Sequence, residues 1–215
     1  MRDNNWVKIY DVSLPIKNDM LVWPGDPPVS IEQKTSVVKH GVRLSMFSFS
    51  SHTGTHVDAP NHFVKNGTGV DKITLKKLFG ECIVVDLTKI DHQEILPSDL
   101  KGAKVKKGTR ILFKTGNYKY LHGSKFPDSY VSLSLEAAEY LSKKEVYLVG
   151  IDFLGIEKRK NRSHPVHKTL LKNGIVNVEG LDLSNVPAGK YTIICMPLKV
   201  VDADGSPSRV LLIKE

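Results

Sequence analysis

Ser51-His52-Thr53-Gly54-Thr55-His56-Val57-Asp58-Ala59-Pro60-Asn61-His62 is the stretch from which the rest of this chain is read. Three of the eight histidines and one carboxylate fall between His52 and His62. His52, His56, Asp58 and His62 all occupy even positions, so an extended backbone aims them at one side. A helix would also align His52 with His56. Gly54, Pro60 and the β-branched Thr53, Thr55 and Val57 argue against one. A straight strand fails for a different reason. At about 3.3 Å per residue it parts His52 from Asp58 by roughly 20 Å, too far to share an ion held at about 2 Å from each donor. The segment must therefore curl, and Gly54 is the residue that permits it.

Outward from this stretch, apolar runs rich in Val, Ile, Tyr and Phe predict strands at 7–12, 43–49, 82–87, 110–114, 146–151, 174–178, 191–196 and 209–213. Ile83-Val84-Val85 and Val210-Leu211-Leu212-Ile213 are continuous, which predicts that both faces are covered. Helices are few. Thr74 is placed to cap 75–79 with Gly80 as its stop, and Ser134 to cap 135–143. Pro165 suits the first turn of 165–172, which ends at Asn173-Gly174. The fold class is mixed, strand-rich α/β. The order does not alternate strictly, against a regular doubly wound or TIM-barrel fold.

The length, 215 residues without linker or repeat, predicts one domain over 1–215. Hydrophobic residues at 40% and charged residues at 25% exclude wholesale disorder. No run approaches the roughly 18 apolar residues of a membrane helix, and Met1-Arg2-Asp3-Asn4-Asn5 carries no signal-peptide core. A soluble, cytoplasmic protein is expected, with no membrane partner. Cys82 and Cys195 lie in apolar runs outside any C-x-x-C pair and read as buried reduced thiols. The net charge of +8 raises the question of a nucleic-acid partner. The basic clusters, 101–107 and 158–162, are not interleaved with aromatics, and no nucleic-acid-binding signature appears. They read as solvated surface.

Two imidazoles and a carboxylate are a borderline-hard donor set suited to Zn²⁺, Mn²⁺ or Fe²⁺. A second cluster, Ser163-His164-Pro165-Val166-His167, precedes Glu179-Gly180-Leu181. His167 falls in the second turn of the expected helix and Glu179 just beyond the expected strand at 174–178. Spacing alone shows no site there. If this cluster folds back onto the first, Asp58 is placed to bridge two ions.

The chain resembles the cyclase family of metal-dependent hydrolases, most closely its bacterial kynurenine formamidase branch. The segment from His52 to His62 keeps every fixed position of that family's H-x-G-T-H-x-D-x-P-x-H signature. Further similarity lies at Tyr10-Asp11-Val12-Ser13, Trp23-Pro24-Gly25-Asp26, His167 through Glu179-Gly180-Leu181, and Ala203-Asp204-Gly205-Ser206-Pro207-Ser208-Arg209. The resemblance implies His52, His56 and Asp58 as ligands of a first ion. It implies Asp58, His167 and Glu179 around a second, with Glu179 placed to touch both. His62 then matches the proton donor and acceptor, and Trp23 the aromatic that meets substrate. It also implies a swivelling β/β/α-type fold, one or two divalent ions per subunit (zinc first, manganese or iron as alternatives), and a homodimer or homotetramer.

The implied activity is cleavage of a small aryl formamide or related amide by a metal-activated water, with ring-opening of a cyclic amide such as isatin as the alternative. From another class, a metal-binding module with a basic partner-binding surface would use the same ligands. His62 favours the enzyme, because a purely structural site needs no spare histidine beside an open ion. One segment departs from the branch. After Asp152, where a small hydroxyl-rich turn is expected, the chain has Phe153 and Leu154.

Overall fold

The computed structural model describes residues 7–214; residues 1–6 and 215, and with them the Met1–Asn5 lead-in, lie outside the described residues. In chain order the strands are β1 (Lys8–Asp11), β2 (Ser30–Thr35), β3 (Leu44–Ser48), β4 (His56–Asp58), β5 (Phe79–Asp86), β6 (Glu94–Ile95), β7 (Arg110–Lys114), β8 (Ser132–Leu133), β9 (Leu148–Ile151), β10 (Val176–Glu179), β11 (Gly189–Pro197) and β12 (Gly205–Lys214). The α-helices are α1 (Val37–His40), α2 (Leu75–Leu78), α3 (Tyr118–Leu121), α4 (Leu135–Lys143) and α5 (Pro165–Lys172).

Eight strands form one sheet in the order β1-β12-β11-β5-β7-β9-β10-β4, and β4 returns to pair with β12. That second pairing closes the sheet into a barrel-like ring. One edge of β12 is shared along its length: Gly205 to Pro207 pair with β4, and Leu211 to Lys214 with β1. The β5-β7-β9-β10 half is parallel and the rest antiparallel. Inside the ring, Val57, Val84, Leu112, Val178, Ile193 and Leu212 join one apolar cluster. On the outer face of β7 and β9, Ile111, Phe113, Val149 and Ile151 pack against Ala137, Leu141 and Leu170 of α4 and α5.

Helix cover decides which strands are buried on both sides. β9 and β10 are buried throughout and β7 nearly so. The two runs expected to be covered on both faces behave differently. Val84, Val210 and Leu212 are buried, while Ile83, Val85, Leu211 and Ile213 are half-buried. The helices that close over β7 and β9 do not extend over that part of the ring.

Helices 135–143 and 165–172 form where expected, and Ser134 Oγ accepts from the Ala137 N–H at 3.0 Å. The helix expected at 75–79 is one residue shorter. Phe79 opens β5, and Gly80, expected as a helix stop, lies inside that strand at φ 127°, where an added Cβ would sit 3.1 Å from the Arg110 guanidinium. β2 has no counterpart among the expected strands; among the described residues it pairs only with β3, as a two-stranded arm. Cys82 and Cys195 are buried free thiols. Among the described residues no helix is long and apolar enough to cross a membrane.

Candidate metal centre

The curl expected at Gly54 is present. Gly54 takes φ +63°, the chain turns through 51–55, and β4 follows directly, so His56 and Asp58 leave a buried strand while His52 folds over them. Thr55 Oγ1 pins the turn, accepting from the Leu14 N–H at 2.8 Å and donating to the Gly180 carbonyl at 2.5 Å. Pro60 then starts a 3-10 turn that carries His62 back toward the cluster, its ring stacked on His52 at 3.9 Å.

The second cluster arrives across the sheet. β10 pairs with β4 so that Asn177 faces Asp58 and Glu179 faces His56. Glu179 is the last residue of β10, not a residue beyond it, and His167 is the third residue of α5, in its first turn. The donors meet in two overlapping sets. His52, His56 and Asp58 bring ligand atoms within 4.8 Å of one another, and so do Asp58, His167 and Glu179. His52 Nδ1 lies 3.0 Å and His56 Nε2 3.4 Å from Asp58 Oδ1. His167 Nε2 lies 3.2 Å from Glu179 Oε1 and 3.9 Å from Asp58 Oδ2, while Glu179 Oε2 lies 3.5 Å from His56 Nε2.

The electrostatics follow from burial. Asp58, Glu179, His56 and His167 are all buried, and among the described residues their charged partners are each other, His52 and Glu157, with no Lys or Arg. Two buried carboxylates require compensating cations. Burial alone would lower His56, but hydrogen bonds to Asp58 and Glu179 raise it to about 10. Burial likewise opposes, and Glu157 and Glu179 outweigh, at His167, also raised to about 10. Glu179 is held down to about 2 by His167 and His56 against burial and the Asp58 charge. Such a set holds its carboxylates ionised and needs positive charge between them, as a divalent cation supplies. His62 runs the other way: burial lowers it.

A cleft of about 630 Å³ opens on the cluster, and Trp23, His62, Phe63, Leu154 and Arg159 are among its walls. Pro24-Gly25 forms the expected turn, with the Asp26 N–H bonded to the Trp23 carbonyl at 3.0 Å. The indole stands over Gly155, where a Cβ would fall 2.5 Å from it, and meets Phe126 edge-on at 5.1 Å. Of the two residues that depart from the branch pattern, Leu154 reaches the cleft. Phe153 is fully buried behind it, against Tyr130.

Three further polar residues escaped the sequence reading. Asp204 Oδ2 lies 2.9 Å from His52 Nε2 and 3.5 Å from His62 Nδ1. Asn177 Nδ2 donates to Asp58 Oδ2 and Glu179 Oε1, each at 2.8 Å. Glu157 Oε2 lies 2.7 Å from His167 Nδ1. Only Asp204 carried a signal, its place in the C-terminal stretch of family similarity.

The Cyclase family profile matches residues 10–158. This chain belongs to the Cyclase family. The kynurenine formamidase of Bacillus cytotoxicus is 33% identical over 218 residues, covering 99% of each chain, and that of Bacillus mycoides is 33% identical over 215. A solved structure described as a potential metal-dependent hydrolase with cyclase activity is 37% identical, with TM-score 0.85 over 97% of this chain and 98% of that one. Isatin hydrolase A from Labrenzia aggregata, at 24% identity and TM-score 0.84 over 96% of this chain and 93% of its own, shares the strand-rich α/β fold. Membership of the Cyclase family and the buried donor set together support a divalent metal ion as cofactor.

Proposed function

We propose that this chain is a metal-dependent amidohydrolase that cleaves a small aryl formamide, with His52, His56 and Asp58 holding one divalent ion and Asp58, His167 and Glu179 a second. The observation that carries the reading is the buried convergence of these donors at the floor of a cleft walled by Trp23. Zinc fits the mixed imidazole and carboxylate donors, and manganese or iron fits them next best. A divalent ion held there supplies Lewis acidity, polarising a carbonyl and acidifying water.

The chain's own residues supply the rest. Trp23 offers a rigid apolar face to a planar aryl group, held upright by Gly155 and Phe126. His62, neutral at pH 7 because burial lowers its basicity, takes a proton from water and returns it to the leaving nitrogen. Asp204 near its Nδ1 stabilises the imidazolium formed between the two transfers. Ring-opening of a cyclic aryl amide such as isatin is the second reading. It is favoured by Leu154, which gives the cleft an apolar wall where the formamidase branch is expected to carry hydroxyls.

The proposal extends to one domain over the whole chain, acting in the cytoplasm as a homodimer or homotetramer. Self-association is supported by the β2–β3 arm, which exposes Val38 at 97% and Phe47 at 63% although a two-stranded hairpin alone is marginally stable in water. The test is elemental analysis of protein purified without chelator, then turnover of aryl formamides and of isatin before and after chelation. One or two equivalents of metal, chelator-sensitive formamide turnover, and lowered occupancy in Glu179→Ala are expected. Stoichiometric absence of metal with chelator-resistant turnover would sink the reading; preferential turnover of isatin would select the second.

A further inference from the structure

Glu157 is buried, and every hydrogen-bond partner of its carboxylate belongs to the segment that delivers His167. Its Oε2 lies 2.7 Å from His167 Nδ1 and accepts from the His167 backbone N–H at 3.4 Å. Its Oε1 accepts from the Val166 N–H at 3.2 Å and from Asn161 Nδ2 at 3.1 Å. Val166 and His167 are the second and third residues of α5, whose N-cap residue, His164, makes no side-chain cap bond. The first-turn N–H groups of a helix need acceptors from outside it. Glu157 provides them and grips the ring of the same helix.

Proton accounting then decides what this carboxylate does. Glu157, His164 and His167 could by distance alone be taken as a separate ligand set. A neutral imidazole has one lone pair and one N–H. The Nε2 of His167 faces Glu179 and Asp58, so with the lone pair there the proton sits on Nδ1, pointed at Glu157. A protonated nitrogen binds no ion. His164, a partly exposed residue of the cleft wall, is also 4.0 Å from Glu157. The other two imidazoles follow the same pattern, with His52 Nε2 at 2.9 Å from Asp204 and His56 Nδ1 at 2.9 Å from the Gly54 carbonyl.

We infer that Glu157 is a positioning residue for the second ion: it fixes His167 in the Nδ1–H tautomer, aims Nε2 at Asp58 and Glu179, and docks the start of α5 in the same act. The inference rests on the proposed two-ion site. Partners of this kind typically govern affinity by roughly 10- to 100-fold.

The test is competitive titration of chelator-stripped protein with Zn²⁺, alongside imidazole ¹⁵N–¹H spectra of the zinc-loaded protein, for wild type, Glu157→Leu and Glu157→Gln. In wild type a downfield Nδ1–H resonance that disappears in His167→Asn is expected. In Glu157→Leu that resonance is lost and one zinc equivalent weakens by roughly 100-fold, while the other keeps its affinity. Gln keeps an acceptor oxygen, so Glu157→Gln recovers most of the affinity but moves the resonance upfield, because a neutral acceptor is weaker than a carboxylate. Should the Leu variant fail to fold, the Gln resonance still decides. An unmoved resonance in Glu157→Gln, or a folded Glu157→Leu with wild-type zinc affinity, would reduce Glu157 to a helix cap. Wild-type protein that binds no zinc, or whose stoichiometry is unchanged in Glu179→Ala, would instead overturn the two-ion reading and this inference with it.

Discussion

His62 differs from the other imidazoles of the centre in having no hydrogen-bond partner for its ring among the described residues; its nearest carboxylate oxygen, on Asp204, is 3.5 Å away. A ring that only relays protons needs freedom to gain and lose one, whereas His52, His56 and His167 each have a ring nitrogen committed to an outer acceptor. Replacing His62 by Asn should therefore leave stoichiometric metal and near-native stability while turnover falls roughly 10²- to 10⁴-fold. Metal analysis beside steady-state kinetics separates the cases. Loss of metal in step with activity would make His62 a ligand, and unchanged turnover a bystander.

At the scale of elements, the close approach of two turns sets the site. Gly180, at φ +70°, follows β10, and an added Cβ would lie 2.2 Å from the Gly54 carbonyl oxygen, in the turn that precedes β4. Gly180→Ala meets both a strained backbone and a backbone overlap, so a loss of about 3 kcal/mol is expected, with lowered metal occupancy in the folded fraction. Denaturant unfolding and metal analysis of the same sample check it; a stable variant with full metal would show that the turns can part without disturbing the donors. The sequence made some of this legible. Gly54 could be read as the curl because a metal donor set cannot be built on a straight strand, α4 because Ser134 caps it locally, and α5 because Pro165 and Asn173-Gly174 mark its ends. Glu157 and Asn177 could not be read: each is one polar residue in an ordinary stretch, Asn177 meeting Asp58 across 119 positions only through the pairing of β10 with β4, and Glu157 meeting His167 only because the loop after β9 folds against the start of α5. β2 was missed because Ser30–Thr35 has a single apolar residue, Ile31, and buries none of its side chains.

Across the whole molecule, the arm and the buried charge cluster make separate claims. Phe47→Glu places a charge on the exposed face of the β2–β3 arm and should lower the oligomeric order seen by light scattering, with metal content unchanged. An unaltered mass would move the assembly surface elsewhere. The charge cluster governs stability when metal is removed. His56 and His167 are raised from 6.5 to about 10, so their contribution is full below about pH 6.5 and is lost as pH rises through about 10. Glu179 is depressed to about 2, so its contribution holds above about pH 4.5 and is lost only as pH falls toward 2. Chelated protein should therefore melt at progressively lower temperature between pH 7 and 10, and zinc-loaded protein, whose imidazoles are already deprotonated, should not. Parallel melting curves would mean that the histidines carry no such protons.

The shared edge of β12 also dictates a timetable. His52 emerges during synthesis 152 positions before Asp204, its outer partner, and the strand that closes the ring over β4 is the last of the described strands. At roughly 5–20 residues per second, the donors of the signature stretch wait on the order of ten seconds before the ring around them can close. Loading of the centre is therefore expected to wait for residues 204–214: a chain cut short before residue 204 would carry every proposed donor yet lack the strand that closes over β4 and the Asp204 carboxylate beside His52.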